Sequence, residues 1–156
     1  MKEAARRATA EDLDRLAELA AAAVAEQVDG RGGDVWSVRE ARAIPASESL
    51  GADLDGTDRL LLAGLIDDAV VGYAAVRTEE LRDGRRLGVI TDMYVEPGAR
   101  AVGVGEELLD AVLTWCRERG CTGIDALALP GNRETKNFFE TFGFTARALI
   151  VHHTLS

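Results

Sequence analysis

Residues 92–106 read DMYVEPGARAVGVGE, and this stretch decides the fold. It predicts a β-strand that enters a Pro-Gly turn, after which the pattern RxxGxG at residues 100–105 opens a helix. Glycine lets the backbone adopt a positive φ and approach a ligand closely. The N–H groups of residues 101–106 lie at the predicted helix N-terminus, where the dipole favours an anion such as a pyrophosphate. Arg100 is positioned to add a charge-assisted contact.

Three interpretations of this glycine-rich turn compete. A nucleotide-binding P-loop needs Gly-Lys followed by Ser or Thr, which the chain lacks here. A dinucleotide-binding turn needs a small residue three positions after Gly105, but Leu108 stands there. Asp125 lies at the distance in sequence from Gly105 that a dinucleotide-binding site requires, but it falls inside its predicted strand and not at the strand's end. A turn that uses glycine only for close packing also stays open.

Hydrophobic periodicity on either side of the turn predicts the remaining elements. Strands are predicted at 4–8, 59–67, 69–78, 86–96, 122–129 and 144–155. Helices are predicted at 10–28, 36–44, 103–119 and 132–142. The strand–helix–strand order of the second half makes the strands at 86–96 and 122–129 parallel. The predicted fold class is α/β, an α+β mixed sheet that is mostly antiparallel with flanking helices, in a single domain over residues 1–156.

Composition restricts the class of protein and its partners. Hydrophobic residues make up 47 % of the 156, enough for one core. The formal net charge of −9 repels phosphate backbones, so we expect no nucleic-acid partner, and it gives weak support for a cationic amine. The apolar runs are too short to span a bilayer and no leader-like segment opens the chain, so we expect a cytoplasmic protein with no membrane partner. Cys116 and Cys121 match no common zinc spacing, so we predict two reduced thiols and no metal.

The segment at 92–106 resembles the acetyl-CoA-binding motif of the GNAT acetyltransferase superfamily. A second resemblance lies downstream, where an asparagine, an aromatic pair and Gly-Phe follow one another in NRETKNFFETFGF, residues 132–144. The opening RATAED, residues 7–12, is similar to the usual first strand and helix of that family. Two motifs in the right order are more specific than either alone.

The resemblance implies a GNAT-like fold in which acetyl-CoA, as co-substrate, lies where the strand at 86–96 splays from the strand at 122–129. By family position, the N–H of Val95 would hydrogen-bond the thioester carbonyl and stabilise an oxyanion. Asn132 would hold the pantetheine arm, and it also suits the N-cap of the helix that follows. The implied acetyl-CoA-binding residues are Met93, Val95, Arg100, Ala101, Val102, Gly103, Val104, Gly105, Glu106, Asn132, Phe138 and Phe139.

The chain departs from the family at the position of the usual acid. Many members carry a tyrosine where this chain has Phe139, which cannot donate a proton and which fits the apolar face of its helix. Tyr94 is the substitute for the general acid. Asp92 shares a strand face with Tyr94 and is predicted to bind the acceptor or to take the proton of its ammonium group. Glu96, on the same face, borders the turn and is expected at the surface.

These residues predict an enzyme that transfers an acetyl group directly from acetyl-CoA to a primary amine, without a covalent enzyme intermediate. The alternatives are an acyl-CoA-binding module with little or no transferase activity, which Phe139 favours, and a nucleotide-binding or regulatory domain that uses the same turn. The acceptor stays open between a small-molecule amine and a protein or peptide amine. A homodimer is also open, because the sequence does not decide the oligomeric state.

Overall fold

The protein is described by a computed structural model that covers residues 2–156. It contains a five-stranded sheet in the order β1-β2-β3-β4-β5, in which every neighbouring pair is antiparallel except β4 and β5, which are parallel. This confirms the predicted mixed sheet. The strands are β1 Glu3–Arg7, β2 Arg59–Ile66, β3 Ala69–Glu80, β4 Arg86–Val95 and β5 Gly123–Ala126.

Helices cover both faces of the sheet. The α-helices are α1 Leu13–Gln27, α2 Gly33–Val38, α3 Ser47–Asp55, α4 Val104–Glu118 and α5 Arg133–Thr141, and short 3-10 helices span Ala10–Asp12 and Pro97–Val102. None of the helices in residues 2–156 is long and apolar enough to cross a membrane.

The predicted helix at 36–44 is wrong, because α2 overlaps this range only at residues 36–38 and α3 begins after it. α2 begins earlier, after Gly32 with φ +82°, and ends at Val38. α3 begins at Ser47, beyond Pro45. Proline disfavours helical backbone in the residue before it, which interrupts a helix here.

The core lies in two layers, one on each side of the sheet. On one side, α4 buries Leu108, Leu109 and Val112 against β2, β3 and β4. On the other side, α1 and α3 pack on Tyr73 and neighbouring residues. Each fully buried leucine contributes about 1.5–3 kcal/mol. Because side chains alternate along β4, Met93 and Val95 face α4, whereas Tyr94 faces α1.

The predicted last strand at 144–155 is wrong. Phe144 packs against the core, but residues 145–156 are exposed and form no strand. Residues of high β propensity form a strand only where a neighbour can satisfy alternate backbone groups, and none of the described strands pairs with this segment. β5 is also shorter than predicted, because the chain turns away after Ala126 toward α5.

Candidate functional site

The two parallel strands separate partway along β4. They pair from Leu87 opposite Gly123 to Ile90 opposite Ala126, and there the pairing ends. β4 continues to Val95 while still paired with β3. The last residues of β4 therefore have a paired side toward β3 and an open side toward the space that β5 has left. This is the splay that the family resemblance implies.

The backbone of Val95 is directed into this open space. The N–H of Glu96 donates to the Val71 carbonyl over 2.9 Å, and hydrogen-bonded and non-hydrogen-bonded pairs alternate along an antiparallel ladder. The pair Gly72–Val95 is therefore a non-hydrogen-bonded one, so the N–H and carbonyl of Val95 point away from β3. In agreement, the Val95 carbonyl accepts a hydrogen bond from Arg100 Nε over 2.7 Å. The N–H is thus placed to donate to a group in the opening, as the predicted oxyanion contact requires.

The N-terminus of α4 adjoins the end of β4. Gly103 has φ +91° and precedes the helix, and its carbonyl accepts the N–H of Glu107 over 3.1 Å. The N–H groups of Val104, Gly105 and Glu106 come before that first helical bond and lack an intrahelical acceptor. Ala101 and Val102, by contrast, belong to the 3-10 helix Pro97–Val102, which the sequence did not predict. The anion-binding geometry predicted for residues 101–106 is therefore best met by residues 104–106.

Gly105 has a packing role within the protein. A Cβ at this position would lie 3.2 Å from Cε1 and 3.3 Å from Cζ of Phe138. Those distances are tighter than ordinary van der Waals contact, so glycine here lets the Phe138 ring lie against the start of α4. Sequence reasoning missed this contact. Close approach of Gly105 to a ligand stays a prediction.

Asn132 joins α5 to the end of α1. Its Oδ1 accepts the N–H of Thr135 over 3.1 Å, which confirms the predicted N-cap. Its Nδ2 donates to Gln27 Oε1 over 3.1 Å. A cavity of about 590 Å³ lies beside it, lined by the end of α1, the following glycine-rich loop, Arg100 and residues 129–134. Its lining holds three arginines, Arg31, Arg100 and Arg133, against two glutamates, Glu26 and Glu134, so it favours an anionic group.

Arg100 is engaged by the protein itself. Besides the Val95 carbonyl, it contacts Glu26 of α1, with Nη2 and Oε2 2.6 Å apart, and its guanidinium lies 5.4 Å from the centre of the Tyr94 ring. The hydrogen bond from Arg100 holds the pKa of Glu26 below its ordinary value. Burial, followed by the charge of Glu26, raises the pKa of Tyr94, so this phenol keeps its proton at neutral pH. A contact between Arg100 and a phosphate stays a prediction.

Asp92 is the centre of a buried polar network. Its carboxylate accepts two hydrogen bonds from Arg42, one from the Tyr73 hydroxyl over 2.7 Å, and one from the Thr91 hydroxyl over 2.7 Å. Arg42 also donates to Asp53 over 2.6 Å. No sequence pattern pointed to Arg42 or Tyr73, because both reach Asp92 from distant parts of the chain. The predicted roles of Asp92 and Tyr94 in catalysis stay predictions.

Three carboxylates near the Tyr94 face are each paired with an arginine. Arg42 binds Asp92, Arg100 binds Glu26, and Arg15 binds Glu96 over 2.6 Å. The side chains of the first pair are 9 % and 8 % exposed, whereas those of the other two are between 34 % and 39 % exposed. Half-exposed pairs contribute only about 0–1 kcal/mol and exchange readily, whereas breaking a buried pair costs about 3–5 kcal/mol. Glu26 and Glu96 are therefore the carboxylates that an incoming cation can reach.

Phe139 lies in the core, as its position on the helix predicts. It is 7 % exposed, and its ring centre lies 5.4 Å from that of Phe138 and 5.1 Å from that of Phe144.

Both cysteines are free, and burial raises the pKa of the Cys116 thiol to about 12. Among residues 2–156, no group of three or more His, Cys, Asp or Glu side chains is arranged to hold a metal ion.

Known proteins match this chain in sequence and in fold. It is 32 % identical over 81 residues to an aminoglycoside N(6')-acetyltransferase type 1 of Stenotrophomonas maltophilia, covering 49 % of this chain and 53 % of the relative. It is 30 % identical over 79 residues to a glucosamine 6-phosphate N-acetyltransferase of Trypanosoma brucei brucei, covering 49 % of this chain and 52 % of the relative. The chain thus spans about half the length of the curated relatives it matches.

Solved structures of other proteins share the fold of this chain. The crystal structure of BH1408 from Bacillus halodurans, a tetramutant, superposes with a TM-score of 0.84 at 20 % identity, covering 97 % of this chain and 99 % of that one. At this identity the likeness shows the fold alone. The acetyltransferase (GNAT) family matches residues 34–144, which include β4, the glycine-rich turn, α4 and both aromatic residues of α5. The chain therefore belongs to the acetyltransferase (GNAT) family.

Proposed function

We propose that this protein is an N-acetyltransferase that transfers an acetyl group from acetyl-CoA directly to a primary amine of a small molecule. The observation that carries the proposal is the backbone of Val95, which points into the opening between β4 and β5 beside the N-terminus of α4. A fixed N–H donor there suits the oxygen of a thioester, on which negative charge grows during acyl transfer. It costs no reorganisation at the moment of reaction, because the β3–β4 ladder holds it.

The residues around the opening fit a coenzyme A arm. The N–H groups of Val104, Gly105 and Glu106 suit a pyrophosphate at the start of α4, and the three arginines of the cavity suit further anionic oxygens. Asn132 would hold the pantetheine arm with the amide that now contacts Gln27. Phe138 would offer its ring to the apolar part of that arm, with the buried Phe139 as its support. We propose the other predicted contacts, from Met93, Arg100 and residues 101–103, as part of the same surface.

We propose Glu26 as the anchor for the acceptor ammonium. Its carboxylate lies close enough to Tyr94 for its charge to raise the pKa of the phenol, and its half-exposed pair with Arg100 can exchange for another cation at little cost. The anchored amine must lose a proton before it attacks, since an alkylamine with a pKa near ~10.4 is mostly ammonium at pH 7. The buried pair with Arg42 favours a positioning role for Asp92 over the predicted role as base.

We propose Tyr94 as the group that protonates the departing thiolate. The Arg100 guanidinium lies over its ring, and its raised pKa keeps the phenol protonated. Phe139 has no hydroxyl, so it cannot take this role. General acid assistance of this kind contributes ~10²–10⁴-fold when thiolate departure limits the rate.

A small-molecule acceptor is favoured by the relatives, which are named for an aminoglycoside and for glucosamine 6-phosphate. The net charge of −9 would raise the local concentration of a polycationic amine. We also propose a cytoplasmic location, which two free thiols favour because cysteines in oxidising compartments are usually paired.

A second candidate is a module that binds an acyl-CoA without efficient transfer. The observation that favours it is the phenylalanine, buried and without a proton to give, at the position of the usual acid. Both candidates require acyl-CoA binding, and they differ only in turnover.

Calorimetric titration with acetyl-CoA and with S-acetylpantetheine tests the shared step. We expect acetyl-CoA to bind at least about tenfold more tightly than S-acetylpantetheine, a difference of ~1.4 kcal/mol in binding free energy. The reason is that only acetyl-CoA carries phosphates, which would contact α4 and the arginine-lined cavity. Equal affinity would contradict the proposed phosphate contacts. If neither compound binds, both candidates are overturned.

A further inference from the structure

A patch of positive charge lies at the end of α4, away from the glycine-rich turn. The β3–β4 turn and the segment that follows α4 meet there, since the N–H of Thr122 donates to the Arg86 carbonyl over 2.9 Å. Residues 82–86 and 117–122 contain five arginines and two acids, a formal charge of +3, whereas the whole chain carries −9. A basic patch on an acidic protein attracts anions that the rest of the surface repels.

A cavity of about 610 Å³ lies between these two segments. Three arginines, Arg85, Arg86 and Arg119, line it together with a single acid, Asp83. Asp83 compensates Arg85, with Oδ2 and Nε 2.7 Å apart. Arg86 and Arg119 are half-buried, and neither forms an ion pair with a carboxylate among residues 2–156. Two positive charges at this cavity are therefore left without a compensating group of the protein.

Donor groups outnumber acceptors beside the cavity. Arg86 Nη1 donates to the Arg119 carbonyl over 3.4 Å, and the Arg119 guanidinium lies over the Trp115 ring, 4.9 Å from its centre. Each guanidinium has five N–H groups, so most of them have no acceptor within the protein. Trp115 is 4 % exposed, and its Nε1 likewise has no acceptor among residues 2–156. Because buried donors are usually paired, such a group of donors suits an acceptor from outside the chain.

The end of a helix would repel an anion if its last carbonyls were free. Here they are occupied. The carbonyls of residues 115–117 accept the backbone N–H groups of residues 119–121, each over 3.0 Å, and the Arg119 carbonyl accepts Arg86. The charge that an incoming ligand meets is therefore set mainly by the arginines.

We propose that this cavity binds a small molecule that carries a phosphate group, at a site separate from the acetyl-CoA surface. Two guanidinium groups match the charge of a phosphate monoester, about −1.5 to −2 at neutral pH. Their planar forks also suit pairs of phosphate oxygens. α4 has 15 residues, so the cavity lies about 22 Å from the free N–H groups at the start of that helix, at ~1.5 Å per residue.

Nuclear magnetic resonance of the isotope-labelled protein tests the proposal, because an indole reports on the cavity. The chain has two tryptophans, Trp36 in α2 and Trp115 beneath Arg119, and Trp36→Phe assigns their two indole N–H signals. The probe is inorganic pyrophosphate, added at constant ionic strength. We expect it to shift the Trp115 signal saturably, with a dissociation constant below ~1 mM, and to leave the Trp36 signal in place.

Substitutions then assign the binding to the two arginines. The titration is followed at the backbone N–H of Gly120, which lines the cavity. Arg86→Gln and Arg119→Gln should each raise the dissociation constant about tenfold or more. Arg7→Gln, at an exposed position of β1, is the matched control and should leave it unchanged. Circular dichroism checks that all the variants are folded.

Four results would each overturn the proposal. The first is a shift that sodium chloride reproduces, and the second is equal weakening by Arg7→Gln and by the cavity variants. The third is a shift confined to the N–H of Gly105, which would place the anion at the start of α4. The fourth is binding of a short single-stranded RNA at least about tenfold more tightly than pyrophosphate, which would indicate a surface for a polyanion. None of these readouts depends on acetyl-CoA or on turnover, so the result is independent of the proposed function.

Discussion

Arg42 and Asp92 are fifty residues apart in the chain and are joined by two hydrogen bonds, 3.0 Å and 2.8 Å long, in a network nearly closed to solvent. The contact connects the segment between α2 and α3 to β4, on the same face of the strand as Tyr94. Asp92 thus compensates a buried arginine, and breaking such a pair leaves an unpaired charge in a site nearly closed to solvent.

Asp92→Asn should therefore act mainly on stability. The change removes one of the two carboxylate charges that compensate buried Arg42, and we expect a loss of about 3–5 kcal/mol in the free energy of unfolding, measured with urea. Asp68→Asn, at an exposed position in the β2–β3 turn, is the control and should change little. If Asp92→Asn instead kept wild-type stability and lost turnover, Asp92 would be the base that its strand position predicts.

Glu26→Gln should weaken binding of the amine. The change removes the proposed ammonium anchor while keeping the shape of the side chain, so KM for the amine should rise about tenfold with kcat nearly unchanged. Glu18→Gln is the matched control, since Glu18 lies on the same helix and also contacts an arginine at the surface. A fall in kcat with an unchanged KM would argue that Glu26 takes part in the chemical step.

The identity of the general acid is tested by two substitutions, one of which removes a hydroxyl group and the other of which adds one. Tyr94→Phe should lower kcat by about 10²-fold or more and leave acetyl-CoA affinity unchanged, provided that thiolate departure limits the rate. Phe139→Tyr should leave the rate unchanged and should cost about 1–3 kcal/mol of stability, because the new hydroxyl would be buried among aromatic rings. A faster Phe139→Tyr enzyme would instead assign the acid position to residue 139. If neither change alters the rate, no side-chain acid is needed.

Alanine variants of two glycines with the same backbone conformation distinguish an effect of backbone strain from an effect on ligand binding. Gly103 and Gly84 both have φ +91°, but Gly103 opens α4 whereas Gly84 lies in the β3–β4 turn with no atom within 4 Å of an added Cβ. Alanine at either position should cost about 1–2 kcal/mol of stability. Only Gly103→Ala should weaken acetyl-CoA binding in calorimetry. Equal affinities in the two variants would mean that the turn has a structural role alone.

Low pH should weaken the contacts of Asp12 that connect β1 to α1, and so lower the free energy of unfolding. Two hydrogen bonds from Arg6, and then the Thr9 N–H, hold the pKa of Asp12 below its ordinary value. The stabilisation is fully present above the unfolded pKa near ~3.9 and is lost as pH falls through the lower folded pKa. The stability difference between wild type and Asp12→Asn should therefore shrink below about pH 4. Asp14→Asn, exposed in the first turn of α1, is the control and should change the free energy of unfolding little.

The parts of the fold that follow from local pattern could be predicted from the sequence. The strand, turn and helix around residues 86–119 were found because the apolar period changes at a glycine-rich turn. Asn132 was recognised as an N-cap because a cap depends only on the next three residues. The family resemblance supplied the splay between β4 and β5, which strand periodicity alone does not reveal.

What could not be predicted depends on contacts between distant residues. Arg42 lies where the sequence predicted part of a helix that does not form, and only the folded chain brings it to Asp92. The fit of Phe138 against Gly105 likewise joins two separate helices. The prediction of a last strand was wrong for a different reason, since Leu149, Ile150 and Val151 have the composition of a strand but pair with none of the described strands.

Mass spectrometry of a panel of amines incubated with acetyl-CoA and the protein tests the central claim most directly. The panel should include an aminoglycoside, an amino sugar, a polyamine and a peptide with a free N-terminus, each with a control that lacks the protein. The account predicts that one or more of the small-molecule amines gains a single acetyl group, and that Glu26→Gln slows this reaction. Tight binding of acetyl-CoA without acetylation of any amine would contradict the proposed activity and would support a module that binds acyl-CoA alone.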